Sequence, residues 1–114
     1  MQVRTAPSAT IVALPERLDT SVAHEVEQEL TRITADAPGD LLCDFSGTRY
    51  ISSAGLRALF VVQKRQKAQK ARLAGFGLSA YVREVFEISG FYQVIPLYAT
   101  EADAIADANR LAGR

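Results

Sequence analysis

One stretch, residues 41–60, constrains the fold of this chain more than any other. In Leu41–Phe45 every residue except one acid is apolar, which is typical of a short strand buried on both faces of a sheet. Ser46–Gly47 then interrupts the run. The apolar positions that follow adopt a helical period and form one stripe in which only the last residue is polar: Leu56, Leu59, Phe60 and Gln63. We therefore expect a strand, a loop and a helix that starts at or just after Ser52–Ser53.

The segments before this stretch predict two strands and a helix. Val3–Thr5 and Thr10–Leu14 are β-favouring runs separated by a turn. Apolar residues then recur at helical spacing, as Val22, Val26, Leu30 and Ile33. We expect this amphipathic helix to start at Asp19, Thr20 or Ser21, and to end before Ala37–Gly39, which includes a proline and a glycine.

The segments after it continue the alternation of strands and helices. Arg72–Phe76 predicts a strand, and Ser79 is positioned to cap a helix that ends at Ser89–Gly90. A last strand is expected near Val94–Leu97, at an edge of the sheet because it contains a proline. Thr100–Leu111 has the cap and the early acids of a final, alanine-rich helix.

This order, β-β-α-β-α-β-α-β-α, predicts an α/β fold. Strands that alternate with helices imply parallel pairing in the second part of the sheet, and the first two strands form its opening pair. We expect one domain over residues 1–114, with a mixed, mostly parallel sheet of about five strands flanked by about four helices.

Composition narrows the classes of function. The 114 residues include 13 basic and 13 acidic side chains, so no net charge steers the chain toward nucleic acid or an anionic membrane. The N-terminal residues lack the apolar core of a secretory signal and no segment resembles a membrane span, so we expect a cytoplasmic protein.

The single cysteine, Cys43, is interpreted as a small core residue. Without a cysteine-rich cluster or a glycine-rich phosphate loop, we expect no metal and no cofactor.

The polar face of the central helix carries basic residues, with a further one just past the helix: Lys64, Arg65, Lys67 and Lys70, then Arg72. A nucleic-acid patch is one interpretation, but no aromatic residues interleave for base stacking and the chain is neutral. A solvated face, a partner-facing surface or a set of cations complementing the helix dipole is favoured instead.

The motif Asp44-Phe45-Ser46-Gly47, followed by Tyr50-Ile51-Ser52-Ser53-Ala54-Gly55-Leu56, resembles that of the STAS domain, the family of bacterial anti-sigma factor antagonists. In that family a buried strand is followed by Asp-Ser-Ser-Gly-Leu or Asp-Ser-Thr-Gly-Leu, and the serine directly after the aspartate is the phosphoacceptor. By this resemblance the aspartate position is Ser52 and the phosphoacceptor is Ser53, with Ser52 as a rival because the aspartate is missing.

The resemblance implies a partner-switching regulator that is not an enzyme. The unphosphorylated protein would bind an anti-sigma factor that is a serine kinase, phosphorylation of Ser53 would release it, and a PP2C-type phosphatase would reset the switch. The surface around the serine is expected to bind the partner, with small neighbours that admit the kinase. These candidate residues are Asp19, Thr48, Arg49, Tyr50, Ser52, Ala54, Gly55 and Arg57.

Three other interpretations stay open at this point. Ser52 and Ser53 are, on spacing alone, adequately explained as a helix cap. A constitutive subunit of a transporter, a lipid-transport complex or a sensory assembly would need no phosphorylation. A serine hydrolase is disfavoured, because its nucleophile needs a base and the only histidine, His24, is on the first predicted helix.

Overall fold

The computed structural model describes residues 1–113 and gives the following elements. The strands are β1 (Val3–Ala6), β2 (Ala9–Ala13), β3 (Arg17–Leu18), β4 (Asp40–Asp44), β5 (Tyr50–Ile51), β6 (Leu73–Phe76) and β7 (Leu97–Tyr98). The helices are α1 (Ala23–Asp36), α2 (Ser53–Ala68), α3 (Ala80–Ser89) and α4 (Glu101–Leu111), and a 3-10 turn, Phe91–Gln93, follows α3.

The main sheet has five strands in the order β1-β2-β4-β6-β7. β1 and β2 are antiparallel, whereas β2, β4, β6 and β7 pair in parallel. The carboxyl ends of the parallel strands therefore lie along one edge of the sheet. The predicted α/β fold with a mixed, mostly parallel sheet and four helices is confirmed.

The two faces of the sheet carry separate apolar clusters, because successive strand residues point to opposite sides. Leu41 and Cys43 of β4 belong to the larger cluster, together with residues of α1, α2 and α3. Leu42, between them, belongs to the smaller cluster, which α4 contributes to. Cys43 is buried, as predicted, and this burial raises the pKa of its thiol to about 12.

Several helix ends are fixed by the side chains that the sequence indicated. The Ser79 hydroxyl accepts a hydrogen bond from the Val82 amide at 3.2 Å, and Thr100 caps α4 in the same way through the Asp103 amide. Gly90 ends α3 with a φ of 81°, a left-handed conformation that glycine adopts without a steric penalty. These three predictions are confirmed.

Other boundaries differ from the prediction. α1 begins at Ala23 after Val22, which makes no side-chain cap, and not at a cap on Asp19, Thr20 or Ser21. Asp19 instead stabilises the turn that precedes α1, since its carbonyl oxygen accepts hydrogen bonds from the amides of Val22 and Ala23. The last strand is Leu97–Tyr98, later than expected, because the amides of Val94 and Ile95 donate hydrogen bonds back to the Phe91 carbonyl oxygen and not to the sheet.

The sequence did not predict β3 and β5, which form a separate parallel pair of two residues each. This pair joins the segment before α1 to the segment before α2. In the described residues, no helix combines the length and apolar character that crossing a membrane requires.

Candidate functional site at the start of helix α2

The start of α2 is held in place by the short β3–β5 pair. Arg17 pairs with Tyr50 and Leu18 with Ile51 in parallel register. Directly after β5, the Ser52 amide donates a hydrogen bond to the Leu18 carbonyl oxygen at 3.0 Å. The first turn of α2 is therefore fixed against the segment that leads into α1.

The two serines at this point have different environments. Ser52 is half-buried and is the N-cap of α2, since its hydroxyl accepts a hydrogen bond from the Gly55 amide at 3.1 Å. Ser53 is exposed on the first turn, and its hydroxyl has no hydrogen-bond partner within residues 1–113. One hydroxyl is thus engaged in helix capping, while the other is open to solvent at the positive end of the helix dipole.

Gly55 is explained by the packing of the protein itself. It is buried, and an added Cβ would clash with the carbonyl oxygen of Leu18 and would lie 2.9 Å from the Leu18 Cγ. The absence of a side chain at Gly55 therefore has a structural reason within the protein, whereas it was expected to give a small surface to the kinase. The glycine allows Leu18 to approach α2. Ala54 is half-buried beside the exposed serine.

The loop before β5 has both buried and exposed residues. Thr48 is only 2% exposed, and its hydroxyl donates a hydrogen bond to the Pro15 carbonyl oxygen at 2.9 Å. The Thr48 side chain, expected to contact a partner, is thus buried and holds its loop to the segment between β2 and β3. Arg49 is exposed and lies 3.4 Å from Glu16 in a solvated ion pair.

Tyr50 belongs to an aromatic and cationic stack that the sequence did not predict. Its ring stacks on that of Tyr81 with centroids 6.4 Å apart and an interplanar angle of 17°. On Tyr50, the Arg17 guanidinium carbon lies 4.6 Å from the ring centroid. Tyr81 is 52% exposed although it is large and aromatic. Since Tyr50 precedes Ser53 by three residues, this stack is a further candidate for partner contact.

Asp19 and Asp44 each hold a loop through local hydrogen bonds. The Asp19 carboxylate accepts hydrogen bonds from the hydroxyl and the amide of Ser21, at 2.6 and 3.0 Å. These bonds, led by that from the hydroxyl, lower the pKa of Asp19, and Arg17 adds a weaker effect. Asp44 accepts a hydrogen bond from the Ser46 amide at 2.8 Å and caps the turn after β4.

The charge of the surface is mixed. Arg17, Arg49 and Arg57 are exposed cations, whereas Asp19 supplies a carboxylate next to β3. The histidine that a hydrolase would need lies elsewhere. His24 is exposed on α1 and lines a groove with Val61 of α2. At 1.5 Å per helical residue, Val61 is about 12 Å along α2 from Ser53.

Comparison with known proteins identifies the class of domain that this fold and this site define. The family model described as "STAS domain" matches residues 1–104. The chain belongs to the STAS domain family.

Individual relatives agree with this assignment. The chain is 34% identical over 102 residues to the Bordetella bronchiseptica protein named "Putative anti-sigma factor antagonist BtrV", covering 90% of this chain and 87% of that one. A crystal structure of an anti-sigma factor antagonist from Mycobacterium paratuberculosis superposes with a TM-score of 0.85 at 22% identity, covering 95% and 92% of the two chains. The anti-sigma factor antagonist SpoIIAA, in its unphosphorylated form, gives a TM-score of 0.78 at 22% identity, covering 99% and 96%. All three names contain the description anti-sigma factor antagonist.

Proposed function

We propose that this protein is the antagonist of a partner-switching pathway. In its unmodified form it binds an anti-sigma factor that is a serine kinase, and transfer of a phosphoryl group to Ser53 ends that association. A PP2C-type phosphatase removes the phosphate and resets the switch. Similarity to named anti-sigma factor antagonists supports the choice of an anti-sigma factor as partner.

The exposed, unpartnered hydroxyl of Ser53 is the observation that carries this proposal. A kinase must bring the acceptor oxygen into its own active site, so the oxygen has to be accessible and free of competing hydrogen bonds. Ser52 meets neither condition as well, because its hydroxyl is half-buried and bonded to the Gly55 amide. Ser53 is therefore the acceptor in this proposal, although the position before it lacks the family aspartate.

Phosphorylation acts here on the charge of the surface and not on the fold. A phosphoserine carries about −1.5 to −2 charge at neutral pH, which the start of a helix tolerates. The same charge changes what a partner meets beside Tyr50 and Tyr81. A partner surface that accepts a neutral serine is repelled or sterically excluded without any refolding of the antagonist.

We propose that the docking surface includes the exposed stack next to the acceptor. Tyrosine and arginine are among the residues that most often dominate binding energy at protein interfaces. Arg17, Tyr50 and Tyr81 lie in one contiguous stack, with Arg49 and Arg57 as exposed cations nearby. Thr48 and Gly55 are buried and hold the segments that carry this surface in place.

Titration of a candidate kinase-type anti-sigma factor with three forms of the protein tests this function. We expect the wild type and Ser53→Ala to bind alike, because neither carries a charge at position 53. Ser53→Asp should bind at least about tenfold more weakly, which corresponds to a loss of about 1.4 kcal/mol. Equal affinity for all three forms, with no phosphate on the wild type after incubation with the kinase and ATP, would contradict the proposal. A stable complex of unmodified protein with a transporter subunit would favour a constitutive role instead.

A further inference from the structure

A second surface of the molecule lies at the other end of α2 from Ser53. An open groove of about 730 Å³ separates the last turns of α2 from the segment after the 3-10 turn. Its apolar part includes Phe60, Ala71 and Val94, and Val94 is 39% exposed. Lys64 and Lys67 border it.

Of the basic side chains that line this groove, one has an ion-pair partner and two do not. Arg72, which also lines it, is paired with Asp40 at 2.9 Å. Lys64 lies 5.7 Å from the centroid of the Phe60 ring, and neither Lys64 nor Lys67 has an ion-pair partner within residues 1–113. Among the residues that the structure describes, no acidic side chain lines the groove. It is therefore an apolar surface with an uncompensated positive border.

α3 carries a surface of complementary character, an exposed apolar side chain next to acidic ones. Ile88 is 78% exposed, more than any other large apolar side chain among the described residues. Glu84, four residues before it, lies on the same face of the helix, and Glu87 is adjacent in sequence. Both glutamates are exposed and neither has an ion-pair partner in the described part of the chain. We call these three residues the acidic stripe.

We propose that the acidic stripe of one copy of this protein docks in the groove of a second copy. Ile88 would occupy the apolar part, while Glu84 and Glu87 face Lys64 and Lys67. The complementary charge and apolar character of the two surfaces support this occupant over an unrelated one. The formal net charge of zero also favours it, because no long-range repulsion opposes the approach of two copies.

The contact is reciprocal in a twofold dimer. α3 ends at Ser89, and two of the residues that line the groove, Gln93 and Val94, follow a few positions later, so one side of the groove lies close to α3 along the chain. In a twofold pair, each stripe can then meet the groove of the other copy. The interface is separate from the hydroxyl of Ser53 and does not depend on the proposed switch.

Sedimentation velocity over a range of concentrations tests this inference with two charge-reversed variants. Lys64→Glu with Lys67→Glu makes both surfaces acidic, and Glu84→Lys with Glu87→Lys makes both basic. We expect each variant alone to dimerise at least about tenfold more weakly than the wild type. An equimolar mixture of the two should regain the wild-type association, because each stripe then meets a groove of opposite charge.

Matched controls separate this contact from a general effect of charge. Arg65→Glu makes the same change on the same helix, but Arg65 lines the groove on the α1 side, so dimerisation should be unchanged. Circular dichroism verifies that each variant is folded. A wild type that stays monomeric up to about 1 mM would overturn the inference and leave the groove to an acidic segment of another protein. Dimerisation that is unchanged by the charge reversals would overturn the inference equally. So would a mixture of the two variants that does not regain the wild-type association.

Discussion

The carbonyl oxygen of Leu18 accepts a hydrogen bond from the amide of Ser52, which ties the segment before α1 to the residue that caps α2. The same carbonyl occupies the space that a side chain at Gly55 would need. The position of Ser53 thus depends on how closely Leu18 approaches the first turn of the helix.

Substitution of Gly55 tests this close approach. We expect Gly55→Ala to lower the free energy of unfolding by about 1–3 kcal/mol, because the added methyl group forces the Leu18 backbone and α2 apart. Urea denaturation measures the change. Gly47→Ala is the matched control, since an added Cβ there meets nothing within 4 Å and should change stability by less than about 0.5 kcal/mol. Equal effects of the two substitutions would show that Gly55 is not sterically required.

The two serines should separate in stability measurements. Ser52→Ala removes the hydroxyl that accepts the Gly55 amide, so we expect a loss of about 1 kcal/mol in the free energy of unfolding. Ser53→Ala removes a hydroxyl without a partner and should stay within about 0.5 kcal/mol of the wild type. Thermal or urea denaturation of the two variants decides this. If Ser53→Ala were the more destabilising, the assignment of Ser52 as the cap would fail.

Asp19 should titrate below an ordinary aspartate. The Ser21 hydroxyl lowers its pKa, so the folded state favours the carboxylate. This contribution to stability is present above the unfolded pKa and is lost as the pH falls through the folded value, that is, below about pH 4. NMR titration of the Asp19 carboxyl carbon should give a higher pKa in Ser21→Ala. Thr20→Ala, one residue away, should leave the value unchanged. An identical titration of Asp19 in wild type and Ser21→Ala would refute the role of the hydroxyl.

Cys43 should be unreactive in the folded protein. Burial raises its pKa to about 12, so almost no thiolate exists at pH 8, and the sulfur is covered by the core. Iodoacetamide should label the chain within minutes in denaturant, where the thiol pKa returns to about 8.5, and far more slowly in buffer. Mass spectrometry counts the label. Equal rates in the two conditions would mean that β4 is not buried as described.

Local chemistry explains which parts of the fold could be predicted. Ser79, Thr100 and Gly90 act through neighbours three residues or fewer away, so the sequence itself contains the signal for these helix ends. The strand that became β4 was recognisable because it is apolar on both faces. Ser53 was identified by resemblance to a motif, and spacing alone would have left it as a cap.

What the sequence could not provide depends on contacts between distant residues. β3 and β5 are two residues long, too short for any periodic pattern, and exist because they pair across 33 positions, Arg17 with Tyr50. Tyr81 joins the site only by stacking on Tyr50. The burial of Thr48 depends on the carbonyl of Pro15. An exposed aromatic residue on the first turn of α3 was a weak signal for Tyr81, but nothing in the sequence placed it beside Ser53.

Peptide mapping of the protein after incubation with ATP and a candidate anti-sigma factor kinase tests the central claim most directly. Intact mass should increase by one phosphate, and fragmentation should locate that phosphate on Ser53 and not on Ser52. Ser53→Ala should gain none, while Ser52→Ala should still be modified. Phosphate on Ser52 alone would contradict the account, as would an unmodified wild type in the presence of a kinase that binds it.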